Sequence, residues 1–76
     1  MTTVYVAYVE TNDAWFEYTI HQTIAGAEAS LRALICDRLE IDQADVQHMS
    51  VDELISYYAD EMDGYDSFIG EAPVLP

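Results

Sequence analysis

Apolar, β-branched and aromatic residues fill nearly every position of two short stretches at the start of the chain. Residues 3–10 read TVYVAYVE and residues 14–21 read AWFEYTIH, a composition that is typical of β-strands. Because the polar residues 11–13 between them tolerate turn dihedrals, the sequence predicts an antiparallel hairpin with strands at about 3–10 and 14–21. Neither face of the first strand is clearly polar, so we expect one face to pack on helix and the other to meet the tail or a second chain.

The pattern then changes to helical spacing. It predicts an amphipathic helix at about 24–40, with Thr23 as the N-cap. We expect Arg32 to pair with Glu28 and Arg38 to pair with Asp42, which leaves no basic patch on the chain. The apolar positions that define this helix are Ala27, Leu31, Leu34, Ile35 and Leu39.

A second helix begins at a capping box, in which Ser50 and Glu53 satisfy each other's backbone amides. This helix is predicted at about 51–62, with Met49 and Leu54 at the staple positions. Residues 41–49 form either one turn capped by Asp42 or a loop. The apolar stripe of the second helix is Leu54, Ile55, Tyr58 and Met62.

The last part of the chain, residues 65–76, contains two prolines and is too short for a helix, so it reads as an extended tail. We expect Phe68 and Ile69 to dock on the core or on the edge of the hairpin. The predicted fold class is α+β, with an N-terminal antiparallel β-hairpin, two α-helices and an extended C-terminal tail in a single domain of residues 1–76.

The charge of the chain changes the interpretation of this small fold. Its 76 residues include 15 Asp and Glu, two Arg and no Lys, for a formal net charge of −13, while 51% of the residues are apolar. A disordered acidic tail lacks such apolar content, so the charge is carried on a folded surface. Four acids precede Cys36, and 15 − 4 leaves 11 after it. The anionic C-terminal half is therefore the candidate binding region.

Acids at the end of the second helix oppose the helix dipole, at about 0.3–1 kcal/mol each, whereas those at its start favour it. A surface that only maintains solubility normally mixes both signs of charge. Spaced carboxylates can instead occupy the Lys and Arg tracks with which proteins hold nucleic acid. The predicted partner-binding residues are the acids Asp52, Glu53, Asp60, Glu61, Asp63 and Asp66, with Tyr57 and Tyr65 as apolar anchors.

The short length, the Lys-free acidic composition and the stretch DELISYYADEMDGYD at residues 52–66 resemble the small acidic inhibitors that bacteriophages encode against host defence, including anti-CRISPR proteins and other DNA mimics. The resemblance is one of general type, without a shared motif. It implies stoichiometric binding to the basic nucleic-acid-binding surface of a host nuclease complex, such as a CRISPR effector subunit, in the host cytoplasm.

Other chemistry has little support in the sequence. His21 and His48 have no nucleophile or metal-ligand spacing beside them. A calcium-loop reading of residues 60–71 fails because Met62 and Gly64 occupy ligand positions. We therefore predict no catalytic residue, metal or cofactor, no direct binding of nucleic acid and no membrane association. Cys36 is expected to be a buried, inert thiol in a soluble, cytoplasmic protein.

Two alternatives remain open at this stage. The chain could be a non-enzymatic interaction module or a small homodimeric subunit that uses the apolar hairpin face, with Tyr5, Tyr8, Trp15 and Tyr18 at the interface. It could also be a small domain adapted to high salt, since such proteins exchange Lys for acids. Self-association in the first case, and salt-dependent folding in the second, would distinguish these alternatives from a nucleic-acid mimic.

Overall fold

The computed structural model describes residues 2–10, 16–62 and 65–74 of the chain. These residues form an antiparallel sheet and two α-helices, so the α+β class is confirmed. The predicted turn at residues 11–13 lies outside the described residues. In chain order the elements are β1 (Thr2–Glu10), β2 (Phe16–His21), α1 (Ile24–Leu39), a 3-10 helix (Gln43–Val46), α2 (Val51–Glu61) and β3 (Ser67–Val74).

The C-terminal segment is a strand, which corrects the prediction of an extended tail beyond a two-stranded hairpin. The sheet order is β2-β1-β3, so β1 pairs antiparallel with both neighbours. The edge of β1 that the hairpin leaves open carries unpaired amides and carbonyls, and β3 satisfies them. Tyr8 lies opposite Tyr18 on one side and Phe68 on the other. Phe68 and Ile69 therefore reach the edge of the hairpin as backbone partners of β1.

Both helices pack on one face of this sheet. Alternate residues of β1, Ala7 and Val9, are fully buried against them, because successive side chains of a strand point to opposite faces. The predicted apolar stripes of both helices form the other half of the core, and each fully buried Leu or Ile contributes about 1.5–3 kcal/mol. The buried residues of this core are Ala7, Val9, Leu31, Ile35, Cys36, Val46, Leu54 and Tyr58.

The helix starts follow the predicted capping chemistry. The Thr23 side chain accepts a hydrogen bond from the Gly26 amide at 3.0 Å, as an N-cap should. Asp42 caps the 3-10 helix by accepting from the Ala44 amide, also at 3.0 Å. Of the two readings of residues 41–49, the structure therefore selects the capped turn.

Both arginines are used inside the fold, with partners other than the predicted acids one turn away. Arg38 pairs with Glu17 of β2 and so ties α1 to the sheet. Arg32 donates to the carbonyl oxygens of Val46 at 3.1 Å and Met49 at 2.6 Å, which fixes the connection between the helices. Tertiary packing decided these partners, because it brings Glu17 of β2 and the carbonyls of the connecting segment within hydrogen-bonding distance of the two guanidinium groups.

Candidate acidic interface

Helix α2 is held in place by its first turn and by its buried side. The Ser50 hydroxyl accepts from the Glu53 amide at 3.1 Å, and the Glu53 carboxylate accepts from the Ser50 amide at 3.0 Å. The opposite side of the helix buries Leu54 and Tyr58 completely, and the Tyr58 hydroxyl donates to the backbone carbonyl of Glu10. These contacts fix which side of α2 faces outward.

The outward side of α2 carries a shallow, wide-open depression, which we call the acidic groove. Its walls carry three of the predicted acids and one predicted aromatic anchor, Tyr57, whose side chain is 38% exposed. Residues three and four positions apart lie on the same face of a helix, so the acids flank the tyrosine on both sides. The groove is lined by Met49, Asp52, Glu53, Ser56, Tyr57 and Asp60.

None of the other predicted residues that the structure describes lines this groove. Glu61 is exposed at the last position of α2, one turn beyond Tyr57. Asp66 is exposed just before β3, and its backbone carbonyl accepts from the Glu10 amide at 2.9 Å. Tyr65 packs against the core instead of lining the groove. Asp63 lies outside the described residues.

One acid that the sequence did not suggest joins the site from α1. Glu28, expected to pair with Arg32, instead lines a second cleft together with Asp52, and this cleft adjoins the acidic groove through Asp52. No local pattern could have revealed this, since 24 positions separate the two acids and the cleft forms only when α1, α2 and β3 pack together. Glu28 and Asp52 thus border one cleft, whose other lining includes the apolar residues Val51, Ile55, Phe68 and Ile69.

Little positive charge is available to neutralise these carboxylates. Among the described residues the one ion pair joins Arg38 to Glu17, away from the groove, and Arg32 is bound to backbone carbonyls. Every acid of the segment from α1 to α2 is exposed. These acids are Glu28, Asp37, Glu40, Asp42, Asp45, Asp52, Glu53, Asp60 and Glu61.

The capping box also keeps one carboxylate of the groove charged. The hydrogen bond from the Ser50 backbone amide lowers the pKa of Glu53, and the bond that involves the Ser50 side chain lowers it further. A carboxylate that accepts amide hydrogen bonds holds its negative charge more firmly. Glu53 therefore stays ionised to a lower pH than an ordinary glutamate, in a position fixed by the backbone.

Asp52 and Asp60 mark the two ends of the acidic groove along α2. They are eight residues apart, which corresponds to a rise of about 12 Å along the helix axis. Both side chains line the groove and are exposed.

Neither histidine lines the acidic groove, although the charge of His48 is the smallest of the causes that lower the pKa of Glu53. His21 shares a hydrogen bond of 2.8 Å with the Thr19 hydroxyl on β2, and His48 is exposed in the turn before α2. In the part of the chain that the structure describes, no group of three His, Cys, Asp or Glu side chains is arranged to hold a metal ion. A search of the same residues for a helix long and apolar enough to cross a membrane found none.

The chain was compared with protein-family models, with curated proteins and with solved structures, and none of these comparisons produced a match.

Proposed function

We propose that this protein is a non-enzymatic acidic inhibitor that binds the basic, nucleic-acid-binding surface of another protein. The observation that carries the proposal is the acidic groove itself, in which Asp52, Glu53 and Asp60 flank an exposed Tyr57. Both arginines of the chain are engaged elsewhere in the fold. A surface of one charge sign steers a partner of the opposite sign and repels partners of its own sign.

Charge and apolar contact have separate roles in this binding. Exposed ion pairs contribute little affinity in water, whereas they raise the association rate and set specificity. Tyr57 supplies the large, amphipathic side chain that is enriched at the centre of binding interfaces. We therefore assign orientation to the carboxylates and the apolar anchor to Tyr57.

The mechanism is occupancy and involves no chemical step. Proteins that hold DNA present Lys and Arg to its phosphates, and carboxylates at matching positions compete for the same cations. A bound inhibitor then prevents the nucleic acid from reaching its site. The partner class that fits is a DNA-binding nuclease complex, such as a CRISPR effector subunit, in the cytoplasm of a host cell.

The experiment is affinity capture from bacterial lysate with immobilised protein, followed by elution with duplex DNA or with NaCl. Two charge-matched variants separate local from overall charge. The helix-end variant (Asp60→Asn with Glu61→Gln) changes the groove and the adjoining helix end, and the remote variant (Asp37→Asn with Glu40→Gln) changes exposed acids at the end of α1. Both variants reduce the net negative charge by two.

We expect the wild type and the remote variant to capture the same protein, and we expect duplex DNA and salt to release it. The helix-end variant should capture much less of that protein. Equal capture by the two variants, or a captured protein that duplex DNA does not release, would contradict the proposal.

A further inference from the structure

The face of the sheet that points away from the helices is a broad apolar surface, which we call the outer sheet face. Successive side chains of a strand point to opposite faces of the sheet, so the residues of this face lie on the opposite side from the buried Ala7 and Val9. Its most exposed members are Ile20 at 61% and Tyr18 at 55%. The outer sheet face comprises Val4, Val6 and Tyr8 of β1, Phe16, Tyr18 and Ile20 of β2, and Phe68, Ala72 and Val74 of β3.

Stacked aromatic rings give this face a firm centre. The Tyr8 ring lies 4.6 Å from the Phe68 ring and 5.2 Å from the Phe16 ring, centroid to centroid. Phe68 and Phe16 remain 48% and 43% exposed, so the stack does not bury them. Aromatic side chains already held by their neighbours lose little conformational freedom when a partner covers them.

The area of the face reaches the lower limit of a specific interface. Its five most exposed side chains present on the order of 500 Å², taking about 200 Å² for a large side chain, and the half-buried Val4, Val6 and Tyr8 extend it. Two copies that cover these side chains would bury about 1,000 Å² in total, which is the lower limit for a specific interface, whereas a standard interface buries about 800 Å² on each partner.

Charge is distributed so that this face can meet its own copy. Among the described strand residues, Glu10 at the end of β1 is the one acid at an outer-face position, while the helical layer carries the exposed acids described above. Two packed sheets lie about 10 Å apart, and a helix layer adds about 10 Å on each side. The helical carboxylates of two copies would then be separated by far more than the Debye length of about 8 Å at physiological salt, which leaves Glu10 as the described strand acid at an outer-face position whose repulsion salt can screen.

The same charge distribution argues against other occupants. Single-stranded nucleic acid stacks on aromatic side chains in a positively charged groove, and anionic membranes require basic residues. This chain has a net charge of −13 and no Lys. A basic protein would find its complement on the helical side, where the acids are.

We propose that two copies of this chain associate through their outer sheet faces, about a two-fold axis, into a dimer with the sheets inside and the helices outside. A self-complementary patch is what such a symmetric interface requires. Both acidic grooves stay accessible in this dimer. The inference rests on the sheet and does not depend on the function proposed for α2.

Analytical ultracentrifugation of the full chain from micromolar to sub-millimolar concentration tests this inference, with variants Ile20→Glu and Ile20→Lys. Because the chain is anionic, the Lys variant reduces the charge repulsion between two copies and the Glu variant increases it. Both variants would weaken the dimer only if residue 20 is buried in the interface. Ile24, 47% exposed at the start of α1 and outside the sheet, provides the matched controls Ile24→Glu and Ile24→Lys. If an Ile20 variant fails to fold by circular dichroism, Tyr18→Lys replaces it.

The expected result is a wild-type equilibrium between 8.6 kDa and twice that mass, with a Kd that falls as NaCl screens the repulsion. The two Ile20 variants should raise the dimer Kd by at least about tenfold, which corresponds to 1.4 kcal/mol. The Ile24 variants should change it by no more than about twofold. A monomer at every concentration, or a dimer that Ile20→Lys leaves intact, would overturn the inference. Added salt should strengthen this dimer, whereas it should weaken the binding of a basic protein to the acidic groove. Failure of the dimer proposal is therefore distinguishable from failure of the proposed function.

Discussion

Removing charge from the end of α2 is expected to stabilise the fold, although it removes part of the proposed binding surface. Asp60 and Glu61 are exposed in the last turn of α2, which contains no basic residue. The backbone carbonyls there form the negative end of the helix dipole, and the two carboxylates also repel each other. The helix-end variant, with Asn and Gln at these positions, relieves both effects.

The magnitude follows from the dipole. Each unfavourable carboxylate at a helix end costs about 0.3–1 kcal/mol, so the two together give about 1 kcal/mol. For a domain of this size, 1 kcal/mol raises the Tm by about 4–8 °C. The gain should shrink as salt is added, because the effect is electrostatic and the residues are exposed.

The matched control is the helix-start variant, Asp52→Asn with Glu53→Gln. It makes the same change in net charge at the positive end of the dipole, where Asp52 and Glu53 are favourable and Glu53 completes the capping box with Ser50. We expect this variant to lower the free energy of unfolding. Urea and thermal unfolding followed by circular dichroism measure both variants. If the helix-end and helix-start variants stabilised the fold equally, the overall charge and not the helix dipole would explain the effect. That result would refute the prediction.

Three further predictions concern the interior. Tyr58→Phe should lower the free energy of unfolding by about 1–2 kcal/mol in urea titrations, because it removes the hydrogen bond to the Glu10 carbonyl. Burial raises the pKa of Tyr58, so the contribution of this side chain to the free energy of unfolding should be complete at neutral pH. That contribution should be lost as the pH rises through the folded-state pKa of Tyr58, and the Tyr58→Phe variant should not show this loss. Ser67→Ala should raise the free energy of unfolding by about 1 kcal/mol, since the buried Ser67 hydroxyl has no hydrogen-bond partner among the described residues; an equal loss would contradict this. Burial also raises the pKa of the Cys36 thiol, so a thiol reagent should modify it only as fast as the protein unfolds, and rapid modification of folded protein would contradict this.

Features set by neighbouring residues could be predicted from the sequence. The capping box needs only Ser50 and Glu53 at their spacing, and it is present with both hydrogen bonds. The Thr23 and Asp42 caps are local in the same way. The outward side of α2 also follows from its apolar stripe, which is why Tyr57 and its flanking acids share one groove.

Features set by distant residues could not be predicted. The strand β3 contains Gly70 and Pro73, which weaken a strand pattern, and its pairing partner β1 is some sixty residues away in the chain. The partner of Arg38 lies on β2 for the same reason. The cleft that Glu28 and Asp52 both line exists only after the helices and β3 pack together. Such contacts depend on the assembled fold, and no local pattern in the sequence encodes them.

The central claim is that the acidic groove competes with nucleic acid for a basic protein surface. The most direct measurement uses the purified captured partner with fluorescent duplex DNA, and follows anisotropy as the chain is added. We expect the wild type and the remote variant to displace the DNA at about one chain per site, and the helix-end variant to displace much less at the same concentration. DNA that stays bound in the presence of saturating wild-type chain would contradict the account.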